Sequence, residues 1–387
     1  MGAPKIASGV MGVPPSRIRE LANVAFAMDD VLALHFGESN MPTPDFIKEA
    51  AVQAMDDGYT FYTENAGLPS LRGEIAKRYG DLHDVDVPAD EVLITASGVQ
   101  ALNVSIRCVI DPGDEAIILT PNWPNASAMV NMFGGRSVEV PFAFDGTRFA
   151  IDFEAIANAV TSRTRLLVYT SPSNPLGWIA TVEEQKQLLD FCRVRGLWLL
   201  ADEVYERLCY RGKTAPSIKR LCDPMDAVIV VQSFSKSYCM TGWRLGWVVS
   251  RSDLIYKAAQ LNEFIVSHAP SMVQRAGEVA LLRGEDFVVD LVEGLKERAE
   301  FCAKQLSGLA GVSVPSPDGA FYLFPRVDGL ADSFEFALRM LKETHVSVAP
   351  GVAFGNGGEG AFRICYAADH SVLEPAMERI VDFLQRG

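Results

Sequence analysis

No apolar run in this sequence approaches the roughly 20 residues that cross a bilayer. Its first residues lack the basic-then-apolar pattern of a secretion signal. No C-x-x-C pair occurs among its seven cysteines, Cys108, Cys192, Cys209, Cys222, Cys239, Cys302 and Cys365. An odd count at scattered spacing excludes a disulfide framework and reads as reduced thiols of a cytoplasmic protein. Histidine is scarce at five, and without an H-E-x-x-H pair the sequence offers no metal site. Positive charge is in deficit, 35 Lys and Arg against 49 Asp and Glu, for a net −14. That balance argues against a nucleic-acid or anionic-membrane partner, although a local basic pocket is compatible with it. Repeats and low-complexity segments are also missing. What is present is length and apolar content: 387 residues, 49% hydrophobic, suit about two domains with a large core.

From about residue 90 to 250, short apolar runs alternate with amphipathic stretches. Val92–Thr95, Ala116–Leu119, Leu166–Tyr169, Trp198–Ala201, Val228–Val231 and Leu245–Val249 read as strands. Segments near 99–110, 123–133, 152–160 and 181–195 read as helices. Near-continuous apolar strands between helices imply a mostly parallel sheet covered on both faces, an α/β fold. Residues 270–308 read as long helices, Ala320–Phe324 as a strand, and the last 60 residues as further helix and strand. The expected division is a large domain over 45–280 and a smaller α/β domain formed by 1–44 and 281–387.

In such folds ligands sit beyond the carboxyl ends of the strands, and several polar motifs lie there. Lys236 follows one strand within Ser233-Phe-Ser235-Lys236, with Arg244 eight residues on. An amine there can form a Schiff base with an aldehyde cofactor, and the hydroxyls and guanidinium can hold its phosphate. A surface lysine is the bland alternative. Asp202 and Tyr205 follow another strand; a carboxylate there can pair with a protonated pyridine nitrogen, or simply cap a helix. Asn174, between Ser173 and Pro175, is held extended and can aim its amide into a crevice, or belong to an ordinary turn. Ser97-Gly98-Val99 joins a strand to a helix whose N-terminus suits an anion. Trp123 can stack on a flat ring or fill a core. Arg363 stands in the apolar strand Phe362–Tyr366, where a buried arginine wants a carboxylate, from a substrate or from an internal Asp or Glu.

In order and spacing these motifs resemble the class I/II aminotransferases, fold type I enzymes dependent on pyridoxal 5'-phosphate (PLP). The resemblance runs from about Val31 to Tyr366 and includes Phe36-Gly37-Glu38, Tyr59 to Arg72, Asn174-Pro175-x-Gly177, Asp202-x-x-Tyr205, Ser233-x-Ser235-Lys236 with Arg244, and Arg363. It implies a seven-stranded, mostly parallel sheet in the large domain. It implies that Lys236 carries the cofactor and shuttles the proton, that Asp202 pairs with the pyridinium nitrogen, and that Tyr205 and Asn174 bond the phenolic oxygen. Trp123 would stack on the ring. Ser97, Gly98, Val99, Ser233, Ser235 and Arg244 would hold the phosphate, joined by Tyr62 from a neighbouring subunit of a homodimer. Arg363 would grip the substrate α-carboxylate beside Gly37. The implied reaction moves an amino group from an L-amino acid to a 2-oxo acid by a ping-pong cycle.

Two positions depart from an aspartate-type pattern. Some relatives that take dicarboxylic substrates carry a lysine where this chain has Val99, and no distal arginine can be assigned from the sequence. A neutral or aromatic donor is therefore favoured, with 2-oxoglutarate or pyruvate as acceptor and the aspartate type as an alternative. His35 stands where relatives more often carry aliphatic or aromatic residues. It is expected in the substrate pocket, as an inert wall or as a general base. A C–S β-lyase and an amino acid oxidase are the rival chemistries on the same fold. A regulator is the non-catalytic rival, but it would need a DNA-binding domain for which there is no room before Val31.

Overall fold

The computed structural model describes residues 4–6 and 8–386; residues 1–3, 7 and 387, which belong to the small domain expected above, lie outside it. The central sheet is built from β1 Val92–Thr95, β2 Glu115–Thr120, β3 Arg136–Pro141, β4 Thr164–Thr170, β5 Trp198–Asp202, β6 Val228–Ser233 and β7 Gly246–Ser250. Their order is β1-β7-β6-β5-β4-β2-β3, and only β7 runs against its neighbours. Six of these strands coincide with apolar runs in the sequence. β3 escaped that pattern because it is an edge strand whose Val140 alone is fully buried.

The sheet is apolar on both faces because its residues alternate between two cores. Ile94, Ile117, Tyr169, Ala201, Val230 and Trp247 face one; Leu93, Ile118, Val168, Leu200, Val231 and Val248 face the other. Helices supply the covering layers, among them Gly98–Val109, Asn125–Met132, Phe153–Ala159 and Val182–Arg195. The last starts at a capping box, with Thr181 accepting from Glu184 N and Glu184 reaching back to Thr181 N. It ends at Gly196, whose φ of 65° is costly for any residue with a Cβ.

Another core is made by both chain ends. Leu21 and Leu34 pack with Leu291, Leu295, Tyr322, Ile364 and Ile380. Here Phe362–Cys365 pairs antiparallel with Tyr322–Leu323 and with Ala349–Pro350, while Leu32–Ala33 pairs in parallel with Val346–Ser347. The helical stretch after 270 divides at Gly284 into Ser271–Arg283 and Glu285–Leu306. The second of these begins against the sheet core at Val288 and continues into the chain-end core from Leu291. None of the described helices is long and apolar enough to cross a membrane.

Candidate active site

A cavity of about 560 Å³ opens where the carboxyl ends of the parallel strands meet the chain-end core. Consecutive strands each deliver one polar group to it. Trp123 follows β2, Asn174 follows β4, Asp202 closes β5, and Lys236 follows β6 on the short helix Phe234–Ser237. Parallel pairing places these ends side by side, so residues far apart in the chain share one wall.

One end of the cavity is a cradle for an anion. Gly98 begins its helix against Ser233, and a Cβ at Gly98 would stand 3.1 Å from the Ser233 Cβ. β7 presses even closer: a Cβ at Gly246 would lie 2.5 Å from the Gly98 nitrogen. Ser97, held at φ 114°, caps that helix by accepting from Gln100 N at 3.2 Å. Its hydroxyl is therefore engaged in the cap, while Gly98, Val99, Ser233, Ser235 and Arg244 line the cavity itself. Free N–H groups at a helix start, the Ser235 hydroxyl and a guanidinium form a donor set suited to a phosphate, while the Ser233 hydroxyl donates to Leu245 O at 3.3 Å.

Lys236 Nζ donates to the Gly37 carbonyl at 2.6 Å, and burial lowers its ammonium to about pKa 8. A substantial neutral fraction is thus present near pH 7.5, as a nucleophilic amine requires. Loading of the cofactor-free protein by an aldehyde is expected to accelerate as pH rises and to level off above about 8. Stopped-flow absorbance checks this, and a rate independent of pH between 6 and 9 would contradict it. Asp202 accepts from Val204 N at 3.3 Å, and burial raises its carboxyl to about 6. Among the described residues it makes no ion pair, and the only charge that acts on it is that of Lys236, so it suits a cationic partner such as a pyridinium nitrogen.

Arg363 is fully buried and is not itself among the residues that line the cavity; it lies directly behind Asn174 and Tyr322, which are. Its Nη1 donates to Asn174 Oδ1 at 2.8 Å and its Nη2 to the His35 carbonyl at 2.5 Å, and its plane covers the rings of Tyr322 and Phe354. Its Nε has no partner, and no carboxylate pairs with it among the described residues. The internal Asp or Glu considered from the sequence is not there.

The structure corrects the placement of His35. Its imidazole lies behind the cavity wall, with Nδ1 2.5 Å from Ser347 Oγ. The backbone causes this: Leu34 N donates to Ser347 O while Cys365 N donates to Leu34 O, so the next residue turns its carbonyl to Arg363 and its ring to Ser347. Burial, then the charges of Arg363 and Arg19, hold the imidazole down to about pKa 4, neutral in the working range. Tyr62 also lies outside this cavity, on an exposed loop with its ring edge-on to His268.

Arg19 and Tyr322 are among the cavity residues that the sequence reading missed. Arg19, on helix Arg17–Ala25, lines the mouth with its guanidinium 5.0 Å over the Phe36 ring. Tyr322 lines the floor, its hydroxyl 2.7 Å from that of Tyr205. Tyr322 carried a signal, a phenol inside the strand-like Ala320–Phe324, since a buried tyrosine hydroxyl needs a partner. Arg19 carried none, because basic residues on an exposed helix are common.

The family model "Aminotransferase class I and II" matches residues 29–380. The chain belongs to this family. Aspartate aminotransferase of Pyrococcus horikoshii is 35% identical over 384 residues, covering 98% of this chain and 97% of that protein. Aromatic-amino-acid aminotransferase 2 of Thermococcus litoralis is 33% identical, covering 96% of each. Among solved structures, the aspartate aminotransferase from Rhizobium meliloti superimposes with a TM-score of 0.93 at 30% identity, over 99% of this chain and 100% of that one. The chain is accordingly a PLP-dependent aminotransferase of fold type I. The site accommodates the cofactor on its own chemistry: a phosphate cradle, an unneutralised carboxylate and a lowered lysine face one cavity.

Proposed function

We propose that this aminotransferase takes a neutral or aromatic L-amino acid as donor and a 2-oxo acid, 2-oxoglutarate or pyruvate, as acceptor, in a ping-pong cycle. Arg363 carries the reading, as a buried guanidinium that lacks a counter-ion and can receive an α-carboxylate. PLP, when bound, supplies the carbonyl that exchanges with the amino group and a ring that withdraws electrons. Gly98, Val99, Ser233, Ser235 and Arg244, with the Ser97 cap behind them, hold its phosphate, and Trp123 covers its ring. Asp202 keeps the ring nitrogen protonated, while Tyr205 and Asn174 donate to the phenolic oxygen. Lys236 would hold the cofactor's carbonyl end, and as a free amine would take and return the substrate α-proton. Gly37 leaves room beside Arg363 and offers its carbonyl to Lys236.

A ping-pong enzyme must hold donor and acceptor in one pocket, and 2-oxoglutarate brings a second carboxylate. Val99 cannot bind it; Arg19 can. Among the described residues no carboxylate pairs with Arg19, since Glu20 is taken by Arg17 at 2.6 Å. Stacked on Phe36, Arg19 extends an apolar wall towards an aromatic side chain; swung off it, Arg19 meets a distal carboxylate. Aspartate and glutamate are then substrates as well, in keeping with the names of the relatives. Arg19→Ala is expected to lower kcat/KM for glutamate and 2-oxoglutarate by about 10–100-fold and for phenylalanine by less than about threefold. Equal losses for both classes would remove Arg19 as the reader of the side chain.

The working unit is a homodimer. Supporting this, Phe61, Tyr62, Phe264 and Ile265 form an exposed apolar group on loops joined by Thr63 N donating to His268 Nε2 at 3.2 Å. Tyr62 from one subunit then reaches the phosphate of its neighbour. Residues 45–280 act as the large domain, and 1–44 with 281–387 as the small one, supported by two main cores, although Ile18 and Phe324 join the sheet core and Tyr205 and Leu208 the chain-end core. A cytoplasmic location agrees with seven free thiols. The deciding experiment titrates the PLP-loaded protein with single amino acids in the absence of any oxo acid. Bleaching of the cofactor band, with release of the matching 2-oxo acid, is expected. A persistent band with pyruvate and ammonia, or with oxygen uptake, would instead establish a lyase or an oxidase.

A further inference from the structure

Tyr322 lines the cavity but is fully buried, and its hydroxyl is packed at a crowded point. The ring supports Arg363, whose guanidinium carbon lies 4.5 Å above its centroid. The hydroxyl stands against Gly37 so tightly that a Cβ at that position would lie 2.3 Å from it. Its hydrogen-bond partner is Tyr205, oxygen to oxygen at 2.7 Å, with the two rings nearly perpendicular at 78°. Two phenols bring two protons, and only one can lie between their oxygens. The other must point elsewhere. Among the described residues Tyr205 is the only hydrogen-bond partner of the Tyr322 hydroxyl, and the close packing against Gly37 leaves little room beside it for another. Were Tyr205 the donor of the shared bond, the Tyr322 proton would be buried without an acceptor, a costly arrangement.

We propose that Tyr322 is a positioning residue that donates to Tyr205 and so directs the single proton of Tyr205 into the cavity. The inference rests on the reading above in which Tyr205 bonds the phenolic oxygen of the cofactor. Tyr322 then does two things. It leaves Tyr205 no choice of direction, and by donating to its oxygen it strengthens Tyr205 as a donor. Because the same ring supports Arg363, the group ordering the cofactor end of the site is held rigidly to the group that receives the substrate carboxylate.

A donor at the phenolic oxygen stabilises the cofactor form that carries negative charge there. It thereby lowers the pH at which the Lys236–cofactor linkage loses its proton. That pH is read directly from the absorption spectrum of the loaded protein and needs no turnover. Tyr205→Phe is expected to raise the midpoint by about 1–2 pH units, and Tyr322→Phe, which keeps the ring, by about 0.3–0.6. Because Tyr322 acts through Tyr205, the double variant is expected to titrate like Tyr205→Phe alone. A Tyr322→Phe midpoint equal to wild type, or a shift of the same size on the Tyr205→Phe background, would overturn this inference while leaving the role of Tyr205 intact. A Tyr205→Phe midpoint equal to wild type would overturn that role, and this inference with it.

Discussion

Lys236→Ala is expected to abolish transamination while leaving the protein able to bind PLP. The cradle groups Gly98, Ser233, Ser235 and Arg244 come from other positions, and the variant touches none of them. What disappears is the only lysine lining the cavity among the described residues, and with it both the covalent tether and the proton carrier. Loss of a positioned general base alone slows a proton transfer by about 10²–10⁴-fold. Loss of the nucleophile adds to this, so steady-state turnover should fall below detection. Equilibrium dialysis should still find one PLP per chain, and its absorption should resemble the free aldehyde. Retained turnover at even a tenth of wild type would remove Lys236 from the chemistry.

Asp202→Asn is expected to have the next largest effect. The wild-type carboxylate sits in a cavity where burial raises it to about 6. A pyridinium partner lowers it again, so the pair is charged at neutral pH. Asn keeps the volume but cannot hold the ring nitrogen protonated. Breaking a buried pair from one side costs about 3–5 kcal/mol, which corresponds to roughly 10²- to 4 × 10³-fold in the half-reaction with an amino acid. Affinity for the phosphate end should change far less, because the cradle lies at the helix start and not on β5. Stopped-flow single turnovers and PLP binding, measured on the same preparation, separate these effects. An unchanged half-reaction rate would leave Asp202 as a mere turn residue that accepts from Val204 N.

Much of the site was legible because of how a parallel sheet presents ligands. Strands buried on both faces must be apolar throughout, so β1, β2, β4, β5, β6 and β7 stand out as runs, and polar or aromatic residues within a few positions of their ends are candidates. Trp123, Asn174, Asp202 and Lys236 were found this way, and the cavity brings them together. β3 was hidden because Arg136, Ser137 and Glu139 break its apolar pattern, unlike the other edge strand, β1, which is buried throughout. His35 was misplaced because two residues of spacing from Gly37 say nothing about which way a side chain turns. The hydrogen bonds of Leu34 to two different strands decide that, and they join segments more than 300 residues apart in the chain.

By itself the sequence determined the α/β alternation, the strand-end positions of the polar groups and the order of motifs that marks the family. These are local properties, written in hydrophobic period and in residues that directly follow a strand. The tertiary structure alone decided that Arg363 is buried without a counter-ion, that Arg19 from the N-terminal helix reaches the cavity mouth, and that Tyr322 holds the hydroxyl of Tyr205. Each of these depends on contacts across the junction of two cores. There burial strips away water, and whether a charge or a phenol finds a partner is settled by packing, which no spacing along the chain encodes.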